Sequence, residues 1–539
     1  MIQTFGTLDW LAVGVYALLT VGIAAWAARR HRDHDSSADY FLAGRGSGWL
    51  VVGGSLFASN IGAEHLVGLA GSGAKGGVAV AQFELIAGFA LLALGWVFVP
   101  FYLRSGVFTM PEFLERRYAS GPRTYLAVVS IAGYVLTKIS VTLTAGGIVF
   151  EALVGIDFWT GAMALVLLTG AYTVVGGFAA VLYTDLMQMF VLLGGAVVVT
   201  VAGLDAVGGV DGLRQGVDPG FFDLWQPLSH PEFPWTGILL GAPILGVWYW
   251  CTDQFIVQRV LAARNQSQAR RGAIFAGLLK VLPLFVFVIP GIMAHVLAKS
   301  GRLALDEADH ALPALVTALL PEGLRGVVVA GLLAALMSSL SSAFNSCATL
   351  VSVDVYKRLR PDASERAQVL VGQGAVVALV GLSLLWIPFM HTISGQLYAY
   401  LQSVQAYISP PIAAVFLFGV LWPRANAKGA MAALLTGLCL GVGRLVLEIN
   451  EDSLCGIWLS LARINFLHVA VVLFAVCTAV LVGVSLATAP PAATQLKDLT
   501  FATVASGAPV ESGRVTRQDI ALSVLLVALI GGIWAIFSS

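Results

Sequence analysis

FASNIGAEHL, residues 57–66, sits inside an apolar segment that starts near Trp49. An asparagine, a glutamate and a histidine interrupt the segment within six residues, with Gly62 between them. Glycine weakens a helix by about 1 kcal/mol, and ionisable groups are costly away from water. What surrounds this stretch decides how it is read.

The chain has 539 residues, of which 58% are hydrophobic and 11% charged. Soluble domains carry about 25% charged residues. No soluble core hides so much apolar surface, so lipid is the expected solvent. Apolar runs of about 20 residues, each long enough to cross ~30 Å of hydrocarbon, recur along the chain. The net charge is zero, which gives no reason to expect a nucleic-acid partner. Of the five cysteines, four lie in apolar segments and Cys455 in an expected external loop, so no disulfide framework is implied. The first apolar run, about Leu8 to Ala28, lacks a basic stretch before it and is followed by Arg29, Arg30 and Arg32. That order is not expected of a signal peptide.

Periodicity and length predict an all-α integral membrane protein with about fourteen helices, near 8–28, 48–73, 77–104, 123–151, 157–177, 181–204, 236–259, 272–298, 323–355, 367–389, 393–421, 427–447, 465–487 and 519–537. With the N-terminus outside, 21 Lys/Arg fall in internal loops, a count that includes Arg259, and seven fall outside. This bias follows the positive-inside rule and places both termini outside. Residues 488–518, with Pro490, Pro491 and Pro509, read as an internal linker.

Two blocks of five helices, 48–204 and 236–421, then run in opposite senses across the membrane. An extra helix precedes them in 1–47, and accessory helices follow in 427–539. Each block opens on an interrupted helix, the first carrying FASNIGAEHL and the second WYWCTDQF at 248–255. Interrupted helices at matching places in two inverted halves point to a transporter site at the membrane midplane. Unwinding near Ser59–Gly62 frees backbone carbonyls that need another partner, and a cation such as sodium is one. Asn60, Glu64 and His65 can then face a solute.

Glu64, His65, Glu84, Lys138, Asp185, Asp253 and Lys280 lie within expected spans, and intramembrane ionisable residues are functional candidates. Lys280, in GLLKVLP, needs a partner; Glu84, in AQFELIAG, and Gln402, in YAYLQSVQ, are available. Carboxylate, amide, imidazole and ammonium suit a neutral solute with many hydroxyls, and Tyr249 or Trp250 offers a flat face to a pyranose ring. The alternative is an ion pair that pins helices. In MSSLSSAFNS, 337–346, the hydroxyls are denser than helix packing requires. With carbonyls from the break at Ala58–Ile61, they suit a sodium shell; close helix packing is the alternative for each hydroxyl taken singly.

DYFLAGR (39–45), SLFASNIGAEHLVGLAGSG (55–73), TMPEFLERRY (109–118), YTDLMQ (183–188), WYWCTDQFIVQRVLAA (248–263), LLAALMSSL (332–340), FNS (344–346) and SPPIAAVFLFGVLWPRAN (409–426) together resemble the sodium/solute symporter family, within it the sodium–glucose cotransporter branch. The resemblance implies a LeuT-like 5+5 inverted repeat with alternating access in the plasma (inner) membrane. It implies a sugar site of Asn60, His65, Glu84, Tyr249, Trp250, Lys280 and Gln402. Tyr249 would stack on the sugar ring and be the inner gate, and Leu69, Phe83 and Tyr398 would be the outer one. It also implies a sodium shell of the Ala58, Ile61 and Ala335 carbonyls with the Ser338 and Ser339 hydroxyls. Asp185, Ser341 and Ser342 become a candidate second sodium site, with helix capping by Thr184 or Asp185 as the alternative. Gly246, Ala87 and Gln405 depart from the pattern of sugar-carrying relatives, which leaves glucose, galactose, myo-inositol or another small polar solute open. A sodium-permeable sugar sensor is the reading from another class. No metal-ligand spacing or nucleophile–base set suggests an enzyme.

Overall fold

The computed structural model describes residues 5–30, 36–62, 64–390, 397–504 and 515–538, with side chains described for all of these except Glu64, Ala152, 386–390, 397–400 and Val504. These residues form helices and turns, with isolated bridges and no β-strand among them.

Eleven described helices are long and apolar enough to cross a membrane. The number falls short of the fourteen expected segments for a geometric reason. Helical runs continue through two turns, giving His65–Ser105 and Phe158–Val207. In each, a glycine with positive φ redirects the chain, Gly77 at 78° and Gly177 at 56°. A β-carbon on Gly77 would stand 2.1 Å from the Phe221 carbonyl oxygen, so close approach as well as φ requires glycine there. The second interrupted helix is divided into pieces, each too short to span alone.

Both expected interruptions are present. The helix Trp49–Asn60 ends at Asn60 and resumes as the π-turn Glu64–Leu69 and the helix Ala70–Gly76. The second helix runs through Trp235–Leu240, Ala242–Gly246 and the π-turn Val247–Thr252, leaves helical geometry at Asp253, and resumes as Gln254–Leu261.

The helix Leu324–Thr349 carries the serine cluster and forms the centre of the bundle. Of the most apolar stretch in Leu324–Leu359, 94% is buried, against 22% for Thr7–Arg30 and for Arg517–Ile536. The last two turn apolar side chains such as Leu18 and Val524 outward, as lipid-facing helices do. Thr7–Arg30 is tied to the serine helix by Asp9, whose carboxylate accepts from the backbone of Gly323 and Gly326 at 2.7 and 2.8 Å and pairs with Arg325. This satisfies the first donors of the serine helix.

The first broken helix packs against Gln266–Leu279. Gly53 and Gly272 allow this: a β-carbon on Gly53 would lie 2.6 Å from the Gly272 carbonyl oxygen, and one on Gly272 2.7 Å from Val52. That close crossing brings Lys280, at the end of one helix, to Asn60, at the end of the other.

Candidate functional site

A cavity of about 530 Å³ of empty space lies between the two breaks. Asn60, His65, Glu84, Tyr249, Trp250, Lys280 and Gln402, the full set expected from the sequence to hold the solute, line it. The side chains already form a network. The Lys280 ammonium donates to the Asn60 and Glu84 side-chain oxygens. The other Glu84 oxygen lies 3.1 Å from His65 Nε2, and Asn60 Nδ2 donates to the Tyr249 hydroxyl at 3.1 Å. Lys280 also lies 5.4 Å from the centroid of the Trp250 ring. The partner that Lys280 needs is therefore Glu84. Isolated charges here would be strongly destabilising, and pairing with further hydrogen bonds compensates them.

Chemically, the cavity combines a cation, an anion, two amides, an imidazole and a phenol against Trp250. Such a set holds a neutral molecule with several hydroxyls, because every donor and acceptor position of an O–H group finds a partner. Phe83 lines the same cavity and stacks against Phe466 with ring centroids 6.4 Å apart. Leu69 is fully buried in the π-turn and is not a wall of the cavity. The side chains of Tyr398 and Glu64 lie outside the described set. Gly246 and Ala87 line the cavity without offering a polar group, and Gln405 adds an amide.

The carbonyl-rich turn faces the serine helix. At the break, the Gly62 N–H donates to the Asn60 carbonyl at 2.8 Å, closing a tight turn around Ile61 (φ −73°, ψ 82°) in place of the helical ladder. Ser339 donates to the Ser59 carbonyl at 3.3 Å, so the hydroxyls and the freed backbone meet. Ala58, Ile61, Ala335, Ser338 and Ser339 are all buried. Neutral oxygens from two chain segments are the kind of donor a hard cation takes.

Asp185 and its neighbours are arranged differently from a simple cap. Thr184 bonds back to the Ala180 and Val181 carbonyls, and Asp185 lies inside the helix beyond Gly177, so the capping alternative is corrected. Asp185 accepts from Ser55 at 2.5 Å and Ser338 at 2.6 Å and is 3.3 Å from Arg259. Arg259 also donates to Ser342, while Ser341 donates to the Ser338 carbonyl at 3.0 Å. A guanidinium thus stands among the residues considered for a second sodium.

Arg259 is the functional residue that sequence reasoning missed. Counted with the internal loop, it is fully buried, donates to the Ser55 carbonyl at 3.2 Å and to its hydroxyl at 2.9 Å, and ties the second broken helix to the first. Gln258 beside Arg259 and Arg264 soon after it suit an internal helix end equally well, so no local signal sets Arg259 apart. Lys138, noted as an intramembrane charge without a role, lines the cavity 4.9 Å from the Tyr249 ring centroid. Asp253 accepts from the Tyr134 hydroxyl and from the Phe255 N–H at 3.2 Å, so it caps the second half of its own helix.

The family model "Sodium:solute symporter family" matches residues 40–437. The chain is 39% identical to "Sodium/glucose cotransporter 2" of Rattus norvegicus, over 92% of this chain and 80% of that one. It is also 39% identical to "Sodium/myo-inositol cotransporter 2" of Sus scrofa, over 93% of this chain and 80% of that one. Among solved structures, the outward-open state of a Na+-coupled sialic acid symporter has the same fold, with a TM-score of 0.76 at 19% identity over 90% of this chain and 99% of that one. With a matching family model over most of its length, relatives of this identity and two interrupted helices around a polar cavity, the chain belongs to the sodium:solute symporter family.

Proposed function

We propose that this protein is a sodium-driven symporter of a hexose such as glucose or galactose, working by alternating access around the central cavity. The observation that carries the reading is the buried Lys280–Glu84–His65 chain joined through Asn60 to Tyr249, in the cavity these residues line. In this reading Asn60, Glu84, Lys280 and Gln402 hold hydroxyls, Trp250 faces the ring, and Tyr249 closes the cytoplasmic side. Sodium sits between the Ala58, Ile61 and Ala335 carbonyls and the Ser338 and Ser339 hydroxyls, which links its occupancy to the helix that carries Asn60. Asp185, Ser341 and Ser342 are the candidate second ion position; the ion-to-sugar flux ratio of the parent and of Ser341→Ala tests it, and a ratio of one in both removes it.

Both chain ends lie outside in this reading, and 48–204 and 236–421 are the inverted repeats. Moving Arg259 from the internal loops into the bundle leaves 20 internal Lys/Arg against seven external, and the orientation is unchanged.

The myo-inositol reading gains from Gly246, where the wall offers no side chain to a sugar hydroxyl. Uptake of labelled glucose and myo-inositol into proteoliposomes, with and without a sodium gradient, separates the two. Glu84→Gln and Lys280→Met each remove charge-assisted hydrogen bonds worth about 1.5–3 kcal/mol. Apparent sugar affinity should fall by roughly 10- to 150-fold. Normal uptake at low sugar by both variants would sink the site assignment.

A further inference from the structure

Beyond Tyr249 lies a second, smaller cavity. It shares Lys138 and Gln405 with the central cavity, and three of the helices that wall the central cavity also wall it. Its position follows from the residue numbers. On the helix from Leu397, the lining moves from Leu401 and Gln402 to Ile408 and Ile412. On the second broken helix it moves from Ala242, Leu245 and Gly246 to Asp253, and on the helix beginning at Ser120 from Lys138 back to Tyr134 and Val129. All three shifts run toward the helix ends near Leu421, Leu261 and Ser120, which the charge bias places inside. Resting on the reading of the central cavity as the sugar site, we propose that this lower cavity is a second, cytoplasm-side holding site for the same polyhydroxylated solute.

The chemistry repeats that of the central cavity in a weaker form. Trp248 supplies an aromatic wall, and Ser130 and Thr137 supply hydroxyls. Asp253 accepts from Tyr134 and Phe255 on Oδ1, and a carboxylate has further acceptor positions. Lys138 sits between the two cavities, 4.9 Å from the Tyr249 ring centroid and 5.4 Å from that of Phe255. A solute held by several charge-assisted bonds leaves slowly if all must break together. Lys138 and Gln405, reachable from both sides of Tyr249, let those bonds be exchanged one at a time as the ring moves aside. The lower site thus speeds release into the cell, and sugar arriving from the cytoplasm meets it first.

The experiment measures apparent affinity for labelled glucose from each face of oriented proteoliposomes, using parent, Trp248→Leu, Ile408→Trp and Glu84→Gln. Trp248 and Ile408 line the lower cavity only. Trp248→Leu and Ile408→Trp should each weaken cytoplasmic-side affinity by roughly three- to tenfold and leave external affinity within twofold of the parent. Glu84→Gln should weaken both faces. If the lower-cavity variants change both faces equally, or neither, the second site is overturned while the central reading stands. If Glu84→Gln changes neither face, the central reading falls, and the second site with it.

Discussion

At Asn60–Gly62 the chain leaves its helix through a tight turn that the Gly62 N–H closes on the Asn60 carbonyl, and the surrounding oxygens face hydroxyls of another helix, Ser339 among them. At Asp253 the chain leaves its helix at the matching place in the other block, but a carboxylate arrives with the break. Asp253 receives the Phe255 N–H and the Tyr134 hydroxyl, so a freed donor of the second half-helix is satisfied by protein. One break presents neutral oxygens to something outside the helix, and the other is sealed by its own side chain. Backbone freed inside a membrane must be satisfied by one route or the other. In the proposed reading the transported ion sits at the first of these two interruptions, the one with no acidic cap. Arg259 joins them, reaching from the capped helix to the Ser55 carbonyl and hydroxyl on the uncapped one.

The strongest way to break this comparison is to remove the joint. Arg259→Met leaves Asp185 buried without its cation, and losing one partner of a buried pair costs about 3–5 kcal/mol. Thermal unfolding of the detergent-solubilised variant should show that loss, and adding Asp185→Asn should recover part of it. A variant as stable as the parent would mean the two broken helices are held by packing alone.

A smaller effect is expected at the sealed break. Asp253→Ala removes an N-cap worth about 1 kcal/mol and leaves the Tyr134 hydroxyl without its acceptor. Stability should fall by about 1–3 kcal/mol when the orphaned donor is included, with the sodium concentration for half-maximal uptake unchanged. A large rise in that concentration would place an ion at the wrong break.

The smallest effect sharpens the comparison most. Ser339→Ala deletes one neutral oxygen from the open break at little cost in stability, since its bond to the Ser59 carbonyl is 3.3 Å long. An oxygen contact worth about 1 kcal/mol corresponds to roughly a fivefold rise in half-saturating sodium. Sugar selectivity should remain as in the parent. Unchanged sodium dependence would make the serine cluster a packing device.

Much of the molecule was legible because the bilayer simplifies the code. Apolar length marked the helices, and polar residues inside apolar runs marked the breaks at Asn60 and near Asp253. The cavity residues Glu84 and Lys280 stood out as charges in lipid-like sequence, and the need of each for a counter-charge paired them. Positive φ at Gly77 and Gly177 was not legible, so helices expected to be separate run on through turns. Leu69 was assigned to the outer gate by resemblance, and the structure holds it inside the π-turn, away from the cavity wall.

What the sequence determined by itself was therefore local: where a helix is long enough to span, where it cannot remain a helix, and which side chains are too polar to face lipid. Arg259 marks what only the tertiary structure decided. Its number and neighbours suit an internal helix end, yet it is buried among Ser55, Asp185 and Ser342, whose positions in the chain lie 204, 74 and 83 residues away. Lys138 and Asp253 acquired places in the same way, one beside Tyr249 and the other beneath Tyr134. A charge in a membrane protein has two low-energy settings, in water at the end of a helix or paired inside the bundle. Local sequence does not distinguish them, because the partner that makes the second setting favourable comes from a distant helix brought near by packing.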